Sequence, residues 1–183
     1  MKNLLFLLSL ICGLLIAACN PPGPSASAEA GRTFAKGQSA VLEEGLGNTI
    51  LGIAIGSPDH STLVAGVQAA ELEDVLVNAG PLTVFAPNNA AFDKLPAGTL
   101  EELLKPENKA TLARIIKHHA APGNYDAGKL RDGMSLYMAT GHYLKVQKNG
   151  EEVSISGAKI LGSVPASNGI VHVIDVVLLP PQN

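Results

Sequence analysis

Five histidines, His60, His118, His119, His142 and His172, are the side chains best suited to acid–base or metal chemistry near neutral pH. Their spacing decides what they can do. A metal pair on one helix needs two histidines four residues apart, as in HExxH, and no pair here has that interval. His118 and His119 are adjacent, so on a helix they point about 100° apart and do not chelate together. His119 continues an apolar stripe, which reads as a buried ring whose nitrogens meet backbone or a turn residue such as Asn168. His172 and Asp175 stand three apart in a strand-like run, hence on opposite faces, and make a poor acid–base pair. No GxSxG elbow occurs, and Gly45-Leu46-Gly47 is not followed by a phosphate-loop lysine. Glu101-Glu102 reads as a solvated helix face. The expectation is a chain that is not an enzyme and takes no metal and no cofactor.

The most pointed chemistry lies at a sulfur. Met1-Lys2-Asn3 carries one positive charge, and Leu4 to Ala18 is apolar or small except for Ser9. That run is short of the roughly 20 residues of a membrane span but suits a secretory signal. It ends in Ile16-Ala17-Ala18-Cys19, which resembles the lipobox of bacterial lipoproteins. The resemblance implies a lipid on the Cys19 sulfur, cleavage after residue 18, and further acylation of the new amino terminus. Two or more acyl chains hold a protein stably to a bilayer where one does not. Asn20, in place of the Asp that marks inner-membrane retention, implies the outer membrane in a cell that has one. The second cysteine, Cys12, leaves with the signal, so the mature domain would have neither free thiol nor disulfide.

Cleavage after residue 18 leaves 165 of the 183 residues, enough for one domain and a tether. Loss of Lys2 moves the net charge from −3 to −4. A mildly acidic chain lacks the clustered basic charge of a nucleic-acid surface. Aromatics are 4% with no Trp, which makes a stacking platform for bases or sugars hard to build. Residues 19–47 begin with the Pro/Ser/Ala segment Asn20 to Ala28 and read as a lipidated, flexible linker.

The elements that must position these groups lie in 48–180. Thr49 to Ile55 predicts a short helix ended at Gly56-Ser57-Pro58, with Asp59 or Ser61 capping the next. Leu63, Val64, Val67 and Ala70 form a helical stripe, continued by Leu72, Val75 and Leu76 after a break near Glu71. Leu82 to Phe85 predicts a buried strand ended by Pro87, with a cap at Asn88 or Asn89. Short helices follow at Ala90 to Leu95 and after Thr99-Leu100-Glu101-Glu102, a capping-box pattern. Pro106 opens the best helix, ended by Pro122-Gly123. The period then changes to two. Strands are predicted at Ser135 to Thr140, Tyr143 to Lys148, Glu152 to Ser156, Lys159 to Val164 and Ile170 to Leu179, with a hairpin at Asn149-Gly150. Helices first and strands later make an α+β domain, with the early strand pairing the Ile170 run.

Two stretches resemble the signatures of the fasciclin family: Thr83-Val84-Phe85-Ala86-Pro87-Asn88-Asn89-Ala90-Ala91-Phe92, and Asn168-Gly169-Ile170-Val171-His172-Val173-Ile174-Asp175-Val176-Val177-Leu178. The Lys105 to Lys109 helix start and the His119 to Gly123 segment also match. The resemblance implies a wedge-shaped β-sandwich with a layer of short helices, and a family of secreted or surface-anchored adhesion proteins. The motif residues Thr83, Phe85, Pro87, Asn89, Phe92, His119, Asn168, Gly169, His172 and Asp175 read as structural: central strands, turn-holding asparagines bonding their own backbone, and Phe92 as a core plug. Two departures stand out. The family has Tyr where this chain has His118, the position tied to receptor binding in animal members. It also often has an aromatic at His60, so His60 marks a more polar and more exposed spot.

These readings converge on a membrane-anchored, extracytoplasmic binding or adhesion module with a protein or polysaccharide partner and no nucleic acid. His118 is its candidate interaction residue. The alternative is an envelope lipoprotein holding a small apolar ligand between helices and sheet, in space left by the small Ala120-Ala121 pair near Val164.

Overall fold

The computed structural model describes residues 46–78 and 80–181. Cys19, the signal 1–18 and the linker up to residue 45 lie outside the described residues.

The chain opens with three short helices, α1 (Ile50–Gly56), α2 (Ser61–Ala69) and α3 (Glu73–Asn78), with a 3₁₀ turn at Pro58–His60 before α2. Thr49 caps α1 by accepting from the Gly52 N–H at 3.1 Å. The break between α2 and α3 falls at Glu71, whose φ of 52° no helix continues through. Val75 is 48% exposed, and the core side of this segment is carried by Leu72, just before α3, and Leu76 within it.

Strand β1 (Leu82–Pro87) is buried along its whole length and leads into α4 (Asn89–Asp93) and α5 (Thr99–Leu103). The capping box expected at Thr99 does not form. Gly98 occupies the cap with φ of 83°, and Thr99 lies inside the helix. Pro106–Asn108 makes a 3₁₀ turn ahead of α6 (Lys109–His118). The helix was expected to run to Pro122-Gly123. It stops at His118, and Ala120–Pro122 forms a three-residue strand, β2. A strand that short carries no alternation by which periodicity could have found it.

The second half is all strand: β3 (Ser135–Tyr137), β4 (Tyr143–Asn149), β5 (Glu152–Ile155), β6 (Ala158–Ala166) and β7 (Gly169–Ile174). The strand expected to reach Leu179 ends at Ile174, and that expected to reach Thr140 ends at Tyr137. One seven-stranded sheet results, in the order β2-β1-β7-β6-β5-β4-β3. As expected, β1 pairs with β7; the pairing is parallel, from Leu82↔Gly169 to Pro87↔Ile174. The sheet curls until its outer strands meet, and Ala139 N–H donates to Ala120 O at 2.7 Å.

Alternation across the β1–β7 pair divides the core. Leu82, Val84, Ala86 and Val171 face the helices and pack on Leu51, Val67, Leu76 and Leu112. Phe85 and Ile174 face the inside of the curled sheet with Leu136, Val146 and Ile155. This is the α+β architecture the sequence implied, with the central parallel pair serving both cores.

Candidate functional site

The motif residues gather on and around the β1–β7 pair. Thr83 is fully buried; its hydroxyl donates to Gly123 O and accepts from the Tyr125 N–H, both at 2.9 Å. Beside it Phe85 stacks on His172, with ring centroids 5.4 Å apart. His172 Nε2 lies 2.7 Å from Tyr125 O, and a carbonyl only accepts, so that nitrogen carries the proton. Nδ1 then accepts from Ser163 Oγ at 2.7 Å. His119 has the opposite tautomer: Nδ1–H donates to Ile115 O at 2.8 Å, and Nε2 accepts from the Leu178 N–H at 2.9 Å. Both partners are backbone groups. Burial drives its pKa down to about 4, against the pull of the Ile115 carbonyl.

Asn89 and Asn168 do not hold their own turns as expected. Asn89 Oδ1 accepts from the Thr62 N–H at 3.1 Å and its amide donates to Pro58 O at 3.0 Å. It thus caps α2, whose own N-terminus has no side-chain cap, from 27 residues away. Asn88 is the local cap of α4, accepting from the Ala91 N–H. Asn168 Oδ1 accepts from the Ile50 N–H, and its amide donates to Leu76 O and Val77 O. One side chain ties the β6–β7 turn to α1 and α3. Gly169 lies against β1, where a Cβ would sit 1.9 Å from Leu82 O. Pro87 closes β1, Phe92 is half-buried between the helices, and Asp175 accepts from the Lys159 N–H at 2.8 Å just past β7.

His118 is 1% exposed. Its Nδ1 meets Thr140 Oγ1 at 2.7 Å, and His142 Nδ1 approaches the same hydroxyl at 3.3 Å. A hydroxyl has one proton and two lone pairs, so at most one of the two rings accepts from Thr140. Burial, then His142, then Arg114 lower the His118 pKa. A partner at this corner meets the surroundings of His118 before its ring.

His60 corrects an expectation. It is 6% exposed, with Nδ1 bonded to Ser57 Oγ at 2.8 Å, because the Pro58–His60 turn folds the ring inward. The space expected beside Ala120 and Ala121 is also filled. Both are buried, and the void at Ala120 among Leu51, Val64, Ile116 and His119 is about 20 Å³. Among the described residues no three His, Cys, Asp or Glu side chains gather as a metal site, and no helix is long and apolar enough to cross a membrane.

Sequence reasoning missed a surface feature. Tyr137 and Tyr143 face each other across β3 and β4, with ring centroids 5.2 Å apart and exposures of 49% and 68%. Lys145 and Gln147 continue the exposed face of β4. The scarcity of aromatics argued against a stacking surface. Two alternating runs flanking Thr140-Gly141 were the signal that could have placed both rings on one face.

Profile, sequence and structure comparisons with known proteins agree. A sequence profile of the fasciclin domain matches residues 58–180. Protein sll1483 of Synechocystis is 46% identical over 135 residues, 73% of this chain and 74% of that one. Transforming growth factor-beta-induced protein ig-h3 of Sus scrofa is 35% identical over 136 residues, which are 74% of this chain but 20% of that protein. Among solved structures, a FAS1 domain pair from the insect cell adhesion molecule Fasciclin I has a TM-score of 0.66 at 20% identity. That match covers 73% of this chain and about half (51%) of the pair.

Proposed function

The chain belongs to the fasciclin domain family, and from that premise we propose that it is a non-enzymatic binding module of the cell envelope, tethered through Cys19. The observation that carries the binding reading is the exposed Tyr137–Tyr143 pair. Tyrosine supplies a large apolar face with a hydrogen-bonding tip at low entropic cost, which is why it recurs at interface hot spots. In a chain with three tyrosines in all, two stand side by side at the surface. The partner is a protein or polysaccharide of the envelope or its surroundings, with Lys145 and Gln147 adding polar contacts. The remaining motif chemistry is committed inward: His119 and His172 use both ring nitrogens to hold backbone and the β6–β7 face. That supports binding over catalysis.

The test uses the mature chain, residues 19–183 carrying Cys19→Ser, applied to isolated envelopes. The Tyr137→Ser/Tyr143→Ser double variant should be retained at least about tenfold less, since two hot-spot side chains are worth about 1.4 kcal/mol or more together. Equal retention would remove the tyrosine face from the account. The tether is tested separately by fractionation. Cys19→Ser in the full chain should move the protein from the membrane fraction to the soluble one, and the mature wild-type N-terminal peptide should carry acyl mass on Cys19. A variant that stays membrane-bound would show that another element holds it.

A further inference from the structure

The dipeptide Asn-Gly occurs twice in the chain, at Asn149-Gly150 and Asn168-Gly169. An asparagine before glycine can lose its side-chain nitrogen, because the glycine amide approaches the carboxamide carbon with no Cβ in the way. The fold gives the two copies opposite surroundings. Asn168 Oδ1 accepts from the Ile50 N–H at 2.9 Å, and its amide donates to Leu76 O at 2.7 Å and Val77 O at 3.2 Å. The nitrogen that would leave is therefore held by two carbonyls. The attacking amide, that of Gly169, belongs to β7 and is packed against the Leu82 backbone.

Asn149 is the last residue of β4, exposed, and paired with Glu152 across the β4–β5 hairpin. Among the described residues its side chain makes no hydrogen bond, and neither does the Gly150 N–H. Gly150 turns at a φ of 64°, with open space where a Cβ would stand. The Asn149↔Glu152 rung closes the hairpin end. Such ends open at low cost, which frees the Asn149 backbone to bring Gly150 N onto Cγ.

We propose that Asn149 is a site of spontaneous deamidation, with water as the only co-reactant. Gly150 N, giving up its proton, bonds to Asn149 Cγ; the Cγ–Nδ2 bond breaks and ammonia leaves with that proton. Water then opens the five-membered imide. Cleavage of the new Cγ–N bond gives aspartate with its backbone intact. Cleavage of the original peptide C–N bond gives isoaspartate, in which the chain runs through Cγ. The carboxamide and water have become a carboxylate and ammonia, with no change of oxidation state. Either product sets a negative charge opposite Glu152, which already pairs with Lys159, and like charges directly opposite weaken a strand pair. Isoaspartate also adds one carbon to the chain ahead of a two-residue turn whose length sets the register of β4 on β5. The hairpin that carries Tyr143 and Lys145 thus weakens with age, whatever the tyrosine face binds.

The test ages folded residues 19–183 carrying Cys19→Ser at pH 8 and 37 °C in heavy-oxygen water. Digestion in ordinary water follows, and peptide mapping with fragmentation places the label on each asparagine. Label should enter at 149 at least about tenfold faster than at 168, since a hairpin end opens far more readily than the β1–β7 seam. In concentrated urea the two rates should converge to within a few-fold. Equal rates in the folded protein, or a rate at 149 more than about tenfold below its urea value, overturn the site. A difference that persists undiminished in urea traces the selectivity to neighbouring sequence and overturns the role of the fold. Asn149→Asp, the aspartyl product made directly, should speed hydrogen exchange at the β4–β5 amides several-fold. Unchanged exchange overturns the weakening.

Discussion

Gly169→Ala is expected to prevent the domain from folding, at a cost above about 4 kcal/mol. The Cβ it adds would lie 1.9 Å from Leu82 O and within 3 Å of two further Leu82 backbone atoms. None of these belongs to a flexible side chain that could swing away. Relief requires β1 and β7 to separate at Leu82↔Gly169, the first rung of the parallel pair that serves both cores. The same movement would pull Asn168 from Ile50, Leu76 and Val77, since that side chain precedes the glycine. Urea unfolding followed by far-UV circular dichroism measures the effect, with Gly162→Ala as the control. Gly162 has open space at its Cβ, so its variant should unfold within about 0.5 kcal/mol of wild type. Similar midpoints for both variants would mean that β1 and β7 are not in close contact at Gly169.

The second large effect is acid sensitivity centred on His119. In the unfolded chain this histidine takes up a proton near its ordinary 6.5, while burial holds it neutral in the fold until about pH 4. Between those values the unfolded state binds the extra proton, so stability is full above about 6.5 and falls as the pH drops towards 4. The gap corresponds to about 3 kcal/mol. Structure gives the same sign. A proton on Nε2 would abolish the acceptor for the Leu178 N–H and leave a charge enclosed beside the Val177–Leu178 segment. Burial lowers His60, His118 and His172 as well, and they act in the same direction. Their share cancels when wild type is compared with His119→Gln, whose amide can serve the same backbone groups without titrating. Between pH 6.5 and 5, above most carboxylate titration, wild type should lose about 2 kcal/mol more than the variant. Parallel stability–pH curves would show that His119 is not the proton-linked group.

The particular residues explain how much of this was legible. The Glu71 break and the pairing of the Leu82 run with the Ile170 run were readable because breaks and fully apolar runs are local signals. The architecture followed from their order and from the two long motifs. Other features were not readable, for different reasons. Asn89 caps a helix that begins 28 residues earlier, and Asn168 bonds groups more than 90 residues away. His60 looked exposed because a polar residue replaces an aromatic, but the Pro58 turn decides its burial. The tyrosine pair lies between these cases. Each ring sits on a recognisable alternating strand, but only the register Tyr137↔Tyr143 brings them together.

The central claim, a tethered module that meets its partner through the β3–β4 face, is tested most directly by photo-crosslinking in intact cells. A benzophenone amino acid is placed at Tyr143 and, in parallel, at Glu107 on the exposed turn before α6. The account predicts a discrete envelope adduct from position 143, absent from position 107 and reduced by Tyr137→Ser. No adduct at 143, or the same adducts from both positions, would contradict it.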